Sequence, residues 1–179
     1  MKKVLLLGGT GKMGKALNSV FSKEYNVISV GSKDLDVRNE NEVRKIIKNN
    51  KPDIVINTVA FLGIDPCEQD PIKAFEMNMV HPMGLAKLSN EFNFLLVHFS
   101  TDAVFSDNED GDSYDEYSAP NPVNVYGMTK LGGDMMVQEI SEKFYIIRIS
   151  VLFGHNDKNN QFVEKMLSRV NDGVSEINI

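Results

Sequence analysis

The sequence predicts an α/β fold, a doubly wound parallel sheet with helices on both faces. One observation is a series of short apolar runs without polar alternation, as in strands buried on both faces of a parallel sheet. The other is that these runs alternate with stretches of helical spacing, which supply the crossovers that parallel strands require. In such a sheet, ligands are expected beyond the carboxyl ends of the strands.

Five strands and the helices between them follow from this alternation. Strands are predicted at apolar runs bounded by glycine, proline or polar residues, over 1–7, 27–30, 53–60, 94–100 and 144–150. Helices are predicted where apolar residues recur three and four positions apart, over 12–22, 40–50, 124–142 and 160–171. Residues 71–92 are expected to form one or two helices bent near Pro82, and residues 101–122 a polar loop.

The composition excludes several classes of function. The net charge of −6 and a pI near 5.1 argue against binding to nucleic acid or anionic membranes, which requires clustered lysine and arginine. The single cysteine, Cys67, cannot form an internal disulfide and favours the reducing cytoplasm. No apolar run is long enough to span a bilayer, and residues 1–7 fit a strand better than a secretory signal. No metal site is expected, because the acidic run 107–116 fails the calcium-loop spacing.

A glycine-rich loop follows the first predicted strand. Gly8, Gly11 and Gly14 have a G-x-x-G-x-x-G spacing between a strand and a helix. Such glycines allow a tight turn, close approach of the backbone to a pyrophosphate, and close packing of helix on strand. The phosphate then meets the free N–H groups at the start of the helix. The sequence therefore predicts a dinucleotide site rather than an ordinary glycine turn.

The residues after the second strand bear on the choice of dinucleotide. An NAD site typically has an acid at that strand end for the ribose hydroxyls. Here Gly31, Ser32 and Lys33 come first, which favours NADP over NAD. Asp34 or Asp36 would serve NAD if the strand were longer than predicted.

Tyr126 and Lys130 lie four residues apart, so one face of a helix carries both side chains. A nearby ammonium stabilises a phenolate and lowers the tyrosine pKa, which suits proton transfer at neutral pH. Taken alone, the spacing favours an ordinary surface pair. After a glycine loop and four strand–helix units, it favours catalysis. His98, inside an apolar run, is expected to be a core residue with satisfied hydrogen bonds, and His81 a kink or surface residue.

Taken in order, these motifs resemble the extended short-chain dehydrogenase/reductase superfamily, and within it the dTDP-4-dehydrorhamnose reductase family. The resemblance covers the whole chain. Besides the glycine loop, it rests on Asp65, Glu68 and the following stretches: DLDV (34–37), PDIVINTVA (52–60), AFEMN (74–78), VHFSTDAVF (97–105), YDE (114–116), PVNVYGMTK (122–130) and RISVLFG (148–154).

The resemblance implies NAD(P)H-dependent reduction of a nucleotide-linked 4-keto-deoxysugar on a Rossmann domain. Tyr126 would supply the proton, Lys130 would lower its pKa and bind the nicotinamide ribose, and Thr101 would hydrogen-bond the substrate oxygen. Substrate contacts are implied for Thr101, Asp102, Ala103 and Val151. The implied cofactor-binding residues are Gly8, Thr10, Gly11, Lys12, Met13, Gly14, Ser32, Lys33, Asp36, Val37, Asn57, Thr58, Val59, Ala60, Asn78, Ser100, Tyr126 and Lys130.

The sequence departs from the family on the sugar side. The family typically has aromatic residues where this chain has Ala103 and Val151. Its members also continue into a substrate domain, so residues 1–154 are expected to bind the cofactor and 155–179 to begin an incomplete substrate region. The chain is then a fragment, a split gene product or half of an assembly, as a homodimer or with a partner that supplies the missing part. Two other functions stay open: a non-catalytic dinucleotide-binding regulatory subunit, and a sugar-nucleotide epimerase or dehydratase.

Overall fold

The computed structural model describes residues 1–106, 113–152 and 162–173. Five parallel strands form one sheet in the order β2-β1-β3-β4-β5, which confirms the predicted doubly wound α/β fold. The strands are β1 Lys3–Leu7, β2 Asn26–Val30, β3 Ile54–Asn57, β4 Leu95–Thr101 and β5 Phe144–Ile149. The helices are α1 Lys12–Phe21, α2 Glu40–Asn50, α3 Ile64–Gln69, α4 Pro71–Phe75, α5 His81–Phe92, α6 Val125–Ile140 and α7 Phe162–Asn171.

The region between β3 and β4 differs from the sequence prediction in two ways. β3 ends at Asn57 rather than at residue 60, because the chain turns there and the Thr58 hydroxyl donates to the Leu7 carbonyl at 2.8 Å. The short helix α3 was not predicted; it begins after Gly63, whose φ of 101° is accessible mainly to glycine. The predicted bend near Pro82 is a π-helical turn over Glu76–Val80, directly before α5.

Some predictions fall on residues outside those described. These are the middle of the polar loop (107–112), the end of the RISVLFG motif with the start of the last helix (153–161), and the final segment (174–179). In the described part of the chain, no helix has the length and apolar character needed to cross a membrane.

Apolar side chains cover both faces of the sheet, as the unalternating strands predict. Successive strand residues point to opposite faces, so Leu5 and Leu7 join one cluster and Val4 and Leu6 the other. The first cluster includes residues of α2, α5 and α6, and the second is covered by residues of α1. The sheet is therefore a rigid layer between two sets of helices, with its carboxyl edge open for function.

The direction of the chain reverses beside β1. The chain passes from β1 to β2 on one side, and then crosses to β3 on the other side. The strand register places Leu7 opposite both Val30 and Asn57, so all three strands end together. A crevice at this reversal point is where open α/β sheets bind their ligands.

Candidate active site

The glycine loop turns sharply out of β1 toward α1. Gly8 has a φ of 83°, and the N–H groups of Gly8 and Gly9 both donate to the Val30 carbonyl, at 3.0 and 2.9 Å. Gly14 lies so close to the Gly8 carbonyl that an added Cβ atom would collide with it. No side chain caps the start of α1 at Gly11. The free N–H groups and the positive end of this helix therefore suit an anionic group, such as a pyrophosphate.

Three other predicted cofactor residues surround this loop. The Thr10 side chain packs against Gly31 at the end of β2. Met13 is half-buried in the first turn of α1. The Lys12 ammonium donates to the Leu152 carbonyl at 2.9 Å, so it ties the glycine loop to the segment after β5.

The end of β2 carries no acid that is free to bind ribose hydroxyls. The Asp34 carboxylate accepts a hydrogen bond from the Gly31 N–H at 2.9 Å. The Asp36 carboxylate pairs with Arg38 at 2.9 Å, and this guanidinium lowers the Asp36 pKa. Ser32 and Lys33 are both exposed directly after the strand. β2 ends at Val30, as predicted, so the alternative of a longer strand does not apply.

A cavity of about 450 Å³ lies between the segment after β2 and helix α5. Asp36 and Val37 line it on one side and His81 on the other. His81 is buried, so the prediction of a surface position is wrong. Burial lowers the His81 pKa to about 4, against a hydrogen bond with the Val37 backbone that raises it. This histidine is therefore neutral at physiological pH.

The segment after β3 is fixed by two buried asparagines. The side-chain Oδ1 of Asn57 accepts a hydrogen bond from the Val59 N–H at 3.2 Å. The Asn78 amide binds Phe61 twice, accepting from its N–H at 2.8 Å and donating to its carbonyl at 3.1 Å, and it also donates to Thr129 Oγ1 at 3.1 Å. Asn78 therefore connects this segment to α6. Thr58 and Ala60, in the same segment, are half-buried.

Thr101 and Tyr126 meet where β4 ends and α6 begins. Thr101 is the last residue of β4, and the Asn124 side chain caps α6 by accepting from the Gly127 N–H at 2.8 Å. The Thr101 hydroxyl donates to Asp102 Oδ1 at 3.1 Å and accepts from the Ala103 N–H at 3.2 Å. Burial raises the Tyr126 pKa, and the Thr101 side chain acts in the opposite direction. Gly127 is required because a Cβ atom there would collide with the Ala103 carbonyl.

Lys130 lies one turn after Tyr126 and is 1% exposed. Its ammonium donates to the Phe99 carbonyl of β4 at 2.7 Å. Burial lowers the Lys130 pKa to about 8, and the negative charge of Asp134 opposes this shift. Burial has the largest effect on the Tyr126 pKa, followed by Thr101, Cys67 and Asp102, and Lys130 is not among the groups that shift it. A lowering of the Tyr126 pKa by Lys130 therefore stays a prediction.

The predicted substrate residues lie at the ends of β4 and β5. Asp102 and Ala103 form a short 3₁₀ turn after Thr101, and Val151 is 61% exposed after β5. An open groove of about 1330 Å³ runs past Asp102 and Ala103. Within it, the Phe105 ring stacks on Tyr114 with centroids 4.3 Å apart, and the Arg148 guanidinium lies 5.3 Å from the Phe105 ring centre. Phe105 and Arg148 were not predicted as site residues, although they lie in the motifs VHFSTDAVF (97–105) and RISVLFG (148–154).

A buried group of polar residues beside Lys130 was also not anticipated. His98 is buried as predicted, but its hydrogen bonds are not all satisfied: Nδ1 lies 3.2 Å from the Asn57 amide nitrogen, and Nε2 has no partner. Asp134 follows Lys130 by four residues, and this spacing was the signal that could have found it. In the described residues, no three His, Cys, Asp or Glu side chains gather as a metal site would require.

Comparison with known proteins gives consistent matches. The whole chain, residues 1–179, matches the family described as RmlD substrate binding domain. It is 35% identical over 168 residues to the dTDP-4-dehydrorhamnose reductase of Escherichia coli (strain K12), covering 92% of this chain and 55% of that protein. It is 31% identical over 167 residues to methionine adenosyltransferase 2 subunit beta of Xenopus laevis, covering 88% of this chain and 49% of that one.

Among solved structures, the chain is similar to the dTDP-4-dehydrorhamnose reductase of Bacillus anthracis str. Ames in complex with NADP. The TM-score is 0.87 with 31% identity, over 96% of this chain and 60% of that chain. The enzyme of the same name from Yersinia enterocolitica gives a TM-score of 0.87 with 29% identity, over 99% of this chain and 62% of that one. The chain thus spans little more than half the length of the relatives it matches.

Proposed function

Because this chain belongs to the RmlD substrate binding domain family, we propose that it acts in the NAD(P)H-dependent reduction of a nucleotide-linked 4-keto-deoxysugar. The observation that carries the proposal is that the first turn of α6, with Tyr126, packs against the turn that follows Thr101, one helical turn before a buried Lys130. A hydroxyl, a phenol and an ammonium are the groups that hold and protonate a carbonyl oxygen. A nucleotide sugar is the proposed small-molecule partner.

The proton-transfer step assigns one role to each of these side chains. The Tyr126 phenol is protonated at neutral pH, as a tyrosine with an ordinary pKa of about 10 already is, so it can donate to the keto oxygen. Burial raises its pKa further. Thr101 holds the same oxygen by a hydrogen bond. Lys130 supplies positive charge beside the phenolate that proton donation would leave. A bound nicotinamide would supply the hydride to the keto carbon.

The glycine loop fits the phosphates of this cofactor. The positive φ of Gly8, the close contact at Gly14 and the uncapped start of α1 leave room and N–H donors for a pyrophosphate. The cavity beside Asp36 and Val37 suits the adenine end. Asn57 and Asn78 then act from below by fixing the segment after β3, which lines the crevice. We propose residues 1–154 as the cofactor-binding unit and 155–179 as the start of the substrate region.

The residues after β2 favour NADP over NAD. Asp34 is engaged with the Gly31 N–H and Asp36 with Arg38, so neither carboxylate is free for a ribose. Lys33 and Ser32 are exposed at the same strand end and offer a cation and a hydroxyl to a 2′-phosphate. The similar Bacillus anthracis reductase, solved in complex with NADP, supports the same choice.

A second candidate is a non-catalytic subunit that binds a dinucleotide and regulates another protein. The similarity to methionine adenosyltransferase 2 subunit beta favours it. So does the loss of ring faces at Ala103 and Val151, where the family typically has aromatic residues for the sugar. Both candidates would bind a dinucleotide, but only the reductase would turn over a substrate. Turnover is therefore the property that distinguishes them. The chain is proposed to work as a homodimer or with a partner chain.

Two measurements on the purified chain test the proposal. Titration with NADPH and NADH, followed by cofactor fluorescence, should give binding, with NADPH the tighter. NADPH oxidation with dTDP-4-keto-6-deoxysugars should then fall about 10²- to 10⁴-fold in Tyr126→Phe. Tyr25→Phe is the matched control, because Tyr25 precedes β2 at the opposite edge of the sheet. Full turnover in Tyr126→Phe would refute the assignment, and binding without turnover would favour the regulatory subunit.

A further inference from the structure

The start of α6, the helix that carries Tyr126, is held by two side chains. The first N–H groups of a helix have no partner inside the helix. Here the Gly127 N–H donates to the Asn124 side chain, and the Val125 N–H donates to Glu68 Oε1 at 2.9 Å. Asn124 belongs to the helix start itself, whereas Glu68 lies 57 residues before Val125, on α3. The two bonded N–H groups belong to the residues directly before and after Tyr126.

The helix α3 is itself fixed close to Glu68. Cys67, the preceding residue, is fully buried, and its thiol donates to the Phe61 carbonyl at 3.4 Å. The Phe61 backbone is bonded to Asn78, and the Asn78 amide also donates to Thr129 on α6. The segment that carries α3 is therefore attached to α6 at two points, through Asn78 and through Glu68. This anchoring limits how far the Glu68 carboxylate can move.

The same turn of α6 meets a fixed surface at Gly127. A Cβ atom at Gly127 would collide with the Ala103 carbonyl, in the turn that follows Thr101. The backbone around Tyr126 is thus fixed by this contact and by the hydrogen bond to Glu68. Movement of the turn would displace the Tyr126 phenol relative to Thr101. A displacement of about 1 Å in a reacting group can lower a rate about 10²-fold.

A carboxylate is well suited to the contact with α6. Its negative charge faces the positive end of the helix, and a hydrogen bond from a backbone N–H to an ionised acceptor is stronger than a neutral one. Glu68 is nevertheless exposed, so water competes with the bond and its contribution to global stability is small. The expected effect of Glu68 is therefore local, on the geometry of the turn that carries Tyr126.

We propose that Glu68 is a positioning residue, which holds the first turn of α6, and with it the Tyr126 phenol, in the geometry for proton transfer. Glu68 acts through the Val125 N–H and touches neither the keto oxygen nor the nicotinamide in this scheme. Its importance for turnover rests on the proposed function. The hydrogen bond and its effect on the Tyr126 side chain do not, so both can be measured in a chain without activity.

Amide exchange measured by NMR tests the hydrogen bond directly. In the ¹⁵N-labelled chain, Glu68→Ala should speed exchange of the Val125 N–H about tenfold or more, because its acceptor is lost. Glu68→Gln keeps an acceptor oxygen and should restore most of the protection. Glu139→Ala removes an exposed acid near the other end of α6 and is the matched control. Unchanged exchange at Val125 in Glu68→Ala would overturn the inference.

The position of Tyr126 is read from its ring signals and from turnover. Glu68→Ala should move the Tyr126 ring signals and lower kcat for NADPH-dependent keto-sugar reduction about tenfold. The Kd of NADPH and the melting temperature should stay nearly unchanged, which separates positioning from a general loss of structure. Glu68→Gln should return both readouts toward wild type. Unmoved ring signals, or moved signals with undiminished kcat in an active chain, would overturn the positioning role.

A second variant covers the case in which Glu68→Ala does not fold. Val125 is the first residue of α6, a position that accepts proline, and Asn124 before it has the extended backbone that proline requires. Val125→Pro therefore removes the N–H donor, keeps the helix, and should reproduce the loss of kcat and the moved ring signals. Where both variants fold, combining them should add no further loss, and additive losses would overturn the inference. Moved ring signals in a chain that reduces no keto-sugar would uphold it and refute the proposed function alone.

Discussion

Replacing Asn78 with alanine should test the structural role that its burial and hydrogen bonds indicate. The Asn78 side chain is fully buried and makes three hydrogen bonds, two to the Phe61 backbone and one to Thr129. These bonds connect the segment after β3 to α6, the helix that carries the proposed catalytic pair Tyr126 and Lys130. Alanine removes all three at once and leaves their partners unsatisfied.

The expected loss follows from these three bonds. A buried hydrogen bond contributes about 1 kcal/mol net, and more when its partner is left unpaired, so Asn78→Ala should lower the free energy of unfolding by about 3 kcal/mol. Thr129 is buried, but Phe61 is half-buried, so water can reach part of the broken network. For a chain of this size, the loss corresponds to a melting temperature about 6–12 °C lower.

Urea unfolding followed by circular dichroism measures this loss, with Asn90→Ala as the matched control. Asn90 also makes three hydrogen bonds, to the Ile140 carbonyl and from the Glu142 N–H and the Ser89 hydroxyl, but its side chain is exposed and water can replace them. Its replacement should cost less than about 1 kcal/mol. Equal losses for the two variants, or a loss below 1 kcal/mol for Asn78→Ala, would refute the structural role derived from burial.

Three further predictions concern the dinucleotide site and pH. Gly14→Ala places a methyl group against the Gly8 carbonyl and should weaken NADPH binding at least about tenfold in a fluorescence titration, and unchanged affinity would contradict the close packing. Lys33→Ala should weaken binding of NADPH about tenfold and leave NADH unaffected, whereas equal weakening of both would exclude a 2′-phosphate contact. His81 has a folded pKa of about 4, below its unfolded value, so the native state binds fewer protons and stability falls as pH falls from 6.5 toward 4. His81→Gln should remove about 3 kcal/mol of this acid dependence in chemical denaturation, and an undiminished dependence would count against it.

Much of the fold and part of the site could be predicted because their signals are local. Apolar runs mark β1 to β5, and the glycine loop needs no knowledge of distant contacts. The helix α3 escaped prediction because it is six residues long and carries little apolar periodicity. His81 begins α5 directly after the π-helical turn, which is compatible with the predicted kink, but it is buried rather than on the surface. A histidine before a proline has no sequence mark that separates these two environments.

The sequence by itself determined the parallel sheet, the glycine-rich loop and the helix that carries Tyr126 and Lys130, since strand pattern, glycine spacing and a separation of four residues are properties of neighbouring residues. Only the tertiary structure decided what each side chain meets. The Lys130 ammonium reaches a carbonyl 31 residues away, and Asn78 reaches a hydroxyl 51 residues away. Burial of Lys130 and the pairing of Asp134 on α6 with Arg148 on β5 depend on how separate elements pack. Packing also sets the local dielectric, and with it the pKa values on which the proposed chemistry depends.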